Sequence, residues 1–374
     1  MPVFIPEPES EERAALRRTV RRAVETYSAE PAVRNCIQSV DGFDRGLWAR
    51  MADEMGLQGI GIPEEFGGSG GGPAEIAVVQ YELGRALVPS PYLSSTILAA
   101  QLLLEINDAG HVSLLEDIAG GGRIATVAPI GPDGSWDVAD ALESARLGDG
   151  AWTLTGAYGF VTDGMNADVV LVPARTMTGI SVFVVETTSS GVTRHSLETL
   201  DLTRRQATFI LDRAPAHLVG PEGQSAAALA RMLDTAALGL AAEQVGGADR
   251  IVAMAIEYAQ NRTQFGRTIA SFQAIKHKLA DLAVDLERME SALAQLIDVT
   301  QRAAPERSVV AHLTQAFCSE TYFNIAVENI QVHGGIGFTW EHPAHLYFRR
   351  AKSTELLLGD GPHHREAMLQ LLGA

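Results

Sequence analysis

The spacing of apolar residues changes twice along the chain. From about residue 8 to residue 118 it is helical: EERAALRRTVRRAVETY carries apolar side chains three and four apart, and LWARMADEMGLQGIGIP reads as a helix closed by Gly56. The glycine-rich loop PEEFGGSGGGP follows, and AEIAVVQYELGRAL then resumes the helical pattern. None of the loop glycines lies between a strand and a helix, so the loop reads as a flexible turn and not as a phosphate cradle. From about 120 to 218 the texture is short β-branched runs (IATVAPI, WTLTGAYGFVTDG, ADVVLVPAR, ISVFVVET, ATFILDR) separated by Gly, Asp and Pro. That pattern predicts an antiparallel sheet. From about 223 to the closing HREAMLQLLGA the pattern is long helices again, and no internal repeat is present. The expected fold class is α+β, with a helical domain over 1–118, a β domain over 119–222 and a four-helix bundle over 223–374.

Composition narrows the partners. A chain of 374 residues can hold two or three domains with sizeable cores. Net charge is −17, which argues against nucleic acid or an anionic membrane surface, because both reward basic patches. An anionic ligand must then find its positive charge locally. Cys36 and Cys318 are the two cysteines; they show no metal-ligand spacing and no disulfide framework, so no metal is expected. The opening MPVFIPEPESEERAALRRTVRRAV has no apolar signal core and no run reaches membrane-spanning length, so a cytoplasmic protein without membrane insertion is expected.

Two stretches break the C-terminal helical pattern with glycine. One runs Arg262-Thr263-Gln264-Phe265-Gly266-Arg267, with Gln273 shortly after. The other, about seventy residues on, runs Gln331-Val332-His333-Gly334-Gly335-Ile336-Gly337-Phe338 and continues TWEHPAHLYFRRAK. Arginines flanking a sharp turn can pair bidentately with a pyrophosphate, and paired glycines let the backbone approach a ligand closely. In this order and spacing the two stretches resemble the FAD-binding C-terminal domain of the acyl-CoA dehydrogenase family. The helical, β, helical succession is also the layout of that family, so the resemblance covers nearly the whole chain.

The resemblance implies α,β-dehydrogenation of an acyl-CoA thioester. A carboxylate takes the α-proton and the β-hydrogen leaves as hydride to flavin N5. It implies FAD contacts from Arg262, Phe265, Gln273, Gln331, Gly334 and Gly335. In the middle domain the family's TE-x-x-x-GSD segment is altered here to ATVAPIGPDGSWD, leaving Gly134-Ser135-Trp136-Asp137. The family's W-[IV]-[ST]-N-G becomes Phe160-Val161-Thr162-Asp163-Gly164. Phe160 can still cover a flavin ring and Thr162 keeps a hydroxyl, although a Phe in a strand is most often core.

The base is the sharpest question. Aligning on Ala351-Lys352 puts Leu358 where many relatives carry a glutamate, and leucine cannot abstract a proton. Asp360 lies two residues on, where an N-cap is favoured over a base. Other branches of the family place the base on the helix before the RTQFG turn. There Glu243 is the one charged residue between Asp234 and Asp249, and Gly239, Gly246 and Gly247 lie three or four residues away from it. Helix-interior glycines cost about 1 kcal/mol each, so something bulky should lie against that face. A flavin, an acyl thioester or a closely packed helix would each fit, and Glu243 is expected as the base.

An AAE-x-x-G helix in a short chain resembles subunits of bacterial steroid side-chain enzymes, which assemble as heterotetramers. The resemblance therefore leaves a homotetramer or heterotetramer open, and implies an electron-transfer flavoprotein as acceptor. The alternative function is a non-catalytic partner subunit that completes another chain's FAD site; an oxidase using oxygen is a further one. Arg204 and Arg205 could face CoA phosphates or stand at an exposed strand start. Trp340, Glu341 and His342 read as structural, and His333 as a helix-terminal histidine meeting the dipole.

Overall fold

A computed structural model describes residues 9–131, 133–137, 140–141, 145–148 and 150–373. The first eight residues of the N-terminal stretch lie outside that description. Helices α1 (Glu11–Tyr27), α2 (Glu30–Gln38), α3 (Arg45–Asp53), α4 (Pro73–Arg85), α5 (Ala100–Ile106) and α6 (Val112–Ala119) come first, and a π-helical segment, Leu93–Ala99, runs directly into α5. Strands β1 (Ala125–Val127), β2 (Ala145–Gly148), β3 (Ala151–Thr162), β4 (Val169–Arg175), β5 (Ile180–Glu186), β6 (Val192–Ser196) and β7 (Gln206–Val219) follow. The chain continues through α7 (Ala226–Asn261), the two-residue strands β8 (Thr263–Gln264) and β9 (Arg267–Thr268), α8 (Gln273–Gln301), α9 (Arg307–His333), α10 (Ala344–Leu356) and α11 (Gly361–Leu372).

These elements form two compact units. One holds residues 36–72 and 89–236; the other holds the described residues up to Asn35, then Pro73–Val88, and everything from Ala237 on. Helix pattern alone groups α1, α3 and α4 together, whereas compactness assigns α3 to the sheet unit and α1 and α4 to the bundle.

The sheet runs β1-β4-β5-β7-β3-β2, with β6 also paired to β7. Its pairs are antiparallel except β1 with β4, whose Ala125 lies beside Val169 in parallel register. The long β7 joins the two halves: its first part pairs with β3 and β6 and its end, at Val219, pairs with Val182 of β5. Strands β4 and β5 are buried on both faces, so they read as continuous apolar runs. Leu154, Tyr158, Val161, Val172, Phe183 and Phe209 form the core here. The polar, mostly exposed β6 (VTRHS) carries no apolar alternation, which is why its sequence pattern is silent.

In the helical unit α1 is fastened to α4 by charge. Glu82, almost fully buried, accepts from Arg17 at 3.3 Å and Arg21 at 2.8 Å. Helix α7 crosses α4 with glycine on both sides of the contact. A Cβ on Gly84 would lie 2.3 Å from the Glu243 carbonyl oxygen, and one on Gly246 would lie 2.0 Å from that of Tyr81. Among the described residues, no helix is long and apolar enough to cross a membrane.

Candidate cofactor and acyl-thioester site

The RTQFG stretch folds as a two-residue hairpin. After α7 ends, the Arg262 N–H donates to the Tyr258 carbonyl at 2.9 Å, and the Ile269 N–H donates to the Arg262 carbonyl at 2.8 Å. The two central residues have positive φ, 52° at Phe265 and 77° at Gly266, the geometry that suits a right-twisted β-hairpin. Phe272 forms the floor of the turn, edge-on to Phe265 at 6.2 Å and with the Arg267 guanidinium 4.0 Å above its ring. Phe265 itself is 92% exposed. Arg262 and Gln273, the latter opening α8, are exposed as well.

The second stretch ends α9. Gly334 takes φ +64°, and a Cβ on either Gly334 or Gly335 would meet no atom within 4 Å. Gln331 is exposed beside them. The two stretches share one small hydrophobic cluster, in which Val332 joins Ala255 and Ala259 of α7, with Tyr258, Ile269, Ala270, Ile275 and Leu279 around them. Residues about seventy apart in sequence thus anchor in one place, and their polar and glycine faces remain exposed. An exposed guanidinium, open glycine backbone and an exposed aromatic ring fit a flavin dinucleotide.

His333 behaves otherwise than its sequence position implied. It is buried, its Nδ1 lies 2.8 Å from the Asn329 carbonyl, and burial lowers its pKa. A neutral imidazole does not answer a helix dipole. Its ring lies instead between Tyr258 and His342, with centroids 4.4 Å away on each side.

In the sheet unit, Phe160 sits at an irregularity in the β3–β7 register, with φ +56° and half its surface exposed. The structure therefore does not use it as core. Gly134 comes close to its ring: a Cβ there would lie 2.8 Å from Phe160 Cδ2. The two altered family segments meet at this point. Thr162, two residues on, is buried, and its carbonyl accepts from the Thr126 hydroxyl at 2.7 Å. Asp163 accepts from Ser94 Oγ at 2.7 Å.

Glu243 is buried inside the helical unit. Gln80 Nε2 donates to its Oε2 at 2.9 Å, and Arg350 Nη1 lies 3.1 Å from its Oε1. The glycines around it answer to helices: Gly246 faces the Tyr81 backbone, and a Cβ on Gly247 would meet the Tyr322 hydroxyl at 2.4 Å. Of the three fits the sequence allowed, the structure shows the closely packed helix. Asp360 caps α11, its Oδ1 accepting from the His363 N–H at 2.9 Å, and Leu358 is buried with φ +66°.

Arg205 is also engaged. It donates to the carbonyls of Ile37, Ser39 and Val40 at 3.0, 2.6 and 3.1 Å, holding the chain after α2. It is therefore not simply an exposed residue at a strand start. Its neighbour Arg204 is buried. Sequence reasoning missed Arg350, Gln80 and Tyr258. The second arginine of FRRAK was a signal, since an arginine amid apolar helical spacing implies a buried partner. A cleft of about 580 Å³ between α1, α4 and α8 contains none of the expected site residues.

Comparison with known proteins gives the class. Residues 10–121 match the acyl-CoA dehydrogenase N-terminal domain and residues 225–372 match the acyl-CoA dehydrogenase C-terminal domain. The chain is 37% identical over 351 residues to the acyl-CoA dehydrogenase IpdE2 of Mycolicibacterium smegmatis, covering 94% of this chain and 95% of that one. It is 34% identical over 330 residues to FadE27 of Mycobacterium tuberculosis, covering 85% of each. The ChsE4-ChsE5 complex of Mycobacterium tuberculosis superposes with TM-score 0.89 at 29% identity, covering 98% of both chains. A Tcur3481-Tcur3483 steroid acyl-CoA dehydrogenase superposes with TM-score 0.88 at 28% identity, covering 97% of this chain and 98% of that one.

The chain belongs to the acyl-CoA dehydrogenase family, and its fold is that family's. It is an oxidoreductase of that class, and its cofactor is FAD. Arg262, Phe265, Gln273, Gln331, Gly334 and Gly335 are the residues whose exposure and open backbone fit that group.

Proposed function

We propose that this chain is one subunit of a heteromeric acyl-CoA dehydrogenase, contributing the Arg262–Gln273 and Gln331–Gly335 face to FAD while another chain supplies the α-proton base. The observation that carries this is the state of its own candidate carboxylates. Leu358 stands at the C-terminal base position, Asp360 caps a helix, and Glu243 faces Arg350 and Gln80 in the helix interior. A base must present a carboxylate oxygen to the substrate α-carbon within hydrogen-bond reach, and the Glu243 and Asp360 carboxylates are both engaged by protein groups. Bound FAD supplies the hydride acceptor of the reaction. In the helical unit Arg262 would pair with its pyrophosphate and Gly334 and Gly335 would leave room for it; in the sheet unit Phe160 and Thr162 are the residues that would contact the flavin ring.

The relatives support the assembly, since two of the structural neighbours are two-protein complexes by name and one of those is a steroid enzyme. A bulky, steroid-derived acyl-CoA is the substrate class this suggests, with an electron-transfer flavoprotein as acceptor. The rival reading keeps Glu243 as the base of a self-sufficient enzyme and requires Arg350 to release it.

The visible flavin spectrum of the chain purified alone, titrated anaerobically with acyl-CoA thioesters, separates the two. We expect a colourless protein, or a flavin that substrate does not bleach, and bleaching restored by a co-expressed family member. A chain that alone carries flavin, bleaches with substrate, and loses bleaching in Glu243→Gln would overturn the proposal.

A further inference from the structure

The geometry points to Tyr258 and His333 as positioning residues that lock the two cofactor stretches to each other; this rests on the reading above that those stretches contact FAD. Tyr258 lies one turn before the hairpin, and its carbonyl accepts the Arg262 N–H at 2.9 Å. Its ring lies against His333 at 4.4 Å between centroids, with planes 33° apart. His333 is the last residue of α9 and the one before Gly334. His342, from the loop beyond the glycines, closes the other side of the imidazole at 4.4 Å. Three rings from three separate segments thus form one stack, placed between Arg262 and Gly334.

The glycine stretch needs such a strut. The Gly334 N–H donates to the Ile330 carbonyl, but no neighbouring element packs against the open side of either glycine, since a Cβ on Gly334 or Gly335 would meet no atom within 4 Å. The 3-10 turn that follows, Gly334–Phe338, is exposed except at Gly337. The His333 Nδ1 is committed to the Asn329 carbonyl, so Nε2 carries no proton in that tautomer, and it is buried without a hydrogen-bond partner. A buried acceptor left unpaired is costly, and a phenyl ring could do the stacking without that cost. The ring, and not the imidazole nitrogen, is therefore the functional part.

The test compares His333→Ala, His333→Phe and Tyr258→Leu by amide hydrogen exchange of the full chain, with Met289→Ala in the buried α8 core as a control of general destabilisation. An aromatic pair of ordinary strength gives roughly three- to tenfold faster local opening when lost. We expect that increase in both the 262–268 and the 334–338 amides for His333→Ala and Tyr258→Leu, and in neither for His333→Phe or Met289→Ala. FAD affinity of the assembled protein should weaken by a similar factor in the first two variants and recover in His333→Phe.

Exchange that quickens only beside the substituted residue would overturn the coupling. Coupled exchange with unchanged FAD affinity would overturn the positioning role. Should no form of the protein take up FAD, the cofactor reading fails on its own, while the exchange pattern still decides whether the stack couples the two stretches.

Discussion

Glu243 and Arg350 face each other across α7 and α10 at 3.1 Å, with only 4% and 3% of their side chains exposed. Each belongs to one of the segments that carried the family resemblance, the AAE-x-x-G helix and the FRRAK stretch. Gln80 of α4 adds a donor to the same carboxylate, and Gln244, next along α7, donates to the Thr354 carbonyl of α10 at 3.3 Å. Three helices are thus registered by one polar knot. Desolvating both charges cancels much of their attraction, so the pair specifies register more than it stabilises.

Removing one partner should therefore cost far more than removing both. Glu243→Gln or Arg350→Met alone is expected to destabilise by about 3–5 kcal/mol, while a double replacement by apolar residues of similar volume should be close to neutral. Urea unfolding of the two singles and the double closes the cycle. A Glu243→Gln variant as stable as the parent would remove the structural account of this carboxylate.

The glycines around the knot divide by what they touch. Gly84→Ala and Gly246→Ala drive a methyl group into the backbone of the opposing helix, where Cβ would lie 2.3 Å and 2.0 Å from carbonyl oxygens. Each should destabilise the fold by roughly 1–3 kcal/mol or more, as overpacking does, and so lower the unfolding midpoint. Gly335→Ala meets no atom within 4 Å and should leave thermal unfolding of the apo chain unchanged. Its cost should fall on FAD retention. Loss of fold in Gly335→Ala with FAD retained would reverse that assignment.

The fold was legible because periodicity was strong where burial was one-sided or complete. The fully buried β4 and β5 and the long C-terminal helices were read from their runs, while β2 and β6, short and mostly exposed, were not. The two cofactor stretches were legible because glycine interrupted a helix twice. What a carboxylate faces is decided by a residue about a hundred positions away, and nothing local in the α7 sequence distinguishes a ligand from a second helix. Glu243 shows this: its flanking glycines correctly required close contact and left open what made it. Phe160 is the opposite case: the general expectation that a strand phenylalanine is core does not hold there, because a register irregularity leaves it half-exposed where strand alternation assumes regular pairing.

Arg205 gives a separate stability prediction in the sheet unit. Its guanidinium gathers three carbonyls of residues 37–40, and charge-assisted bonds of this type contribute more than neutral ones. Arg205→Met should destabilise by about 1–3 kcal/mol, because three carbonyls lose a donor. CoA-ester affinity should be unchanged. Isothermal titration with the acyl-CoA beside thermal unfolding checks both; a fall in affinity without a fall in stability would return Arg205 to the ligand.

Acid should unfold the chain in two stages, and histidine sets the first. His364 is buried with its Nδ1 2.8 Å from that of His312, and burial, followed by the neighbouring His312 and His363, lowers its pKa from 6.5 to about 3. Burial likewise lowers His345 to about 4 and pushes His333 and His342 down. In the unfolded chain these groups take up protons near pH 6.5, so between that value and about 3 the unfolded state binds more protons. Stability is complete above pH 6.5 and declines as pH falls through this window, by about 3 kcal/mol for His364 alone at pH 4. Carboxylates such as Asp41, Asp108 and Asp298, lowered by hydrogen bonds to Arg45, to backbone amides and to Arg302, act only below their ordinary range near 3.8. Urea midpoints measured from pH 7.5 to 4 should therefore fall before those carboxylates titrate, and His364→Leu should flatten the slope between pH 6.5 and 4. A slope unchanged in that variant would assign the acid limb to other groups.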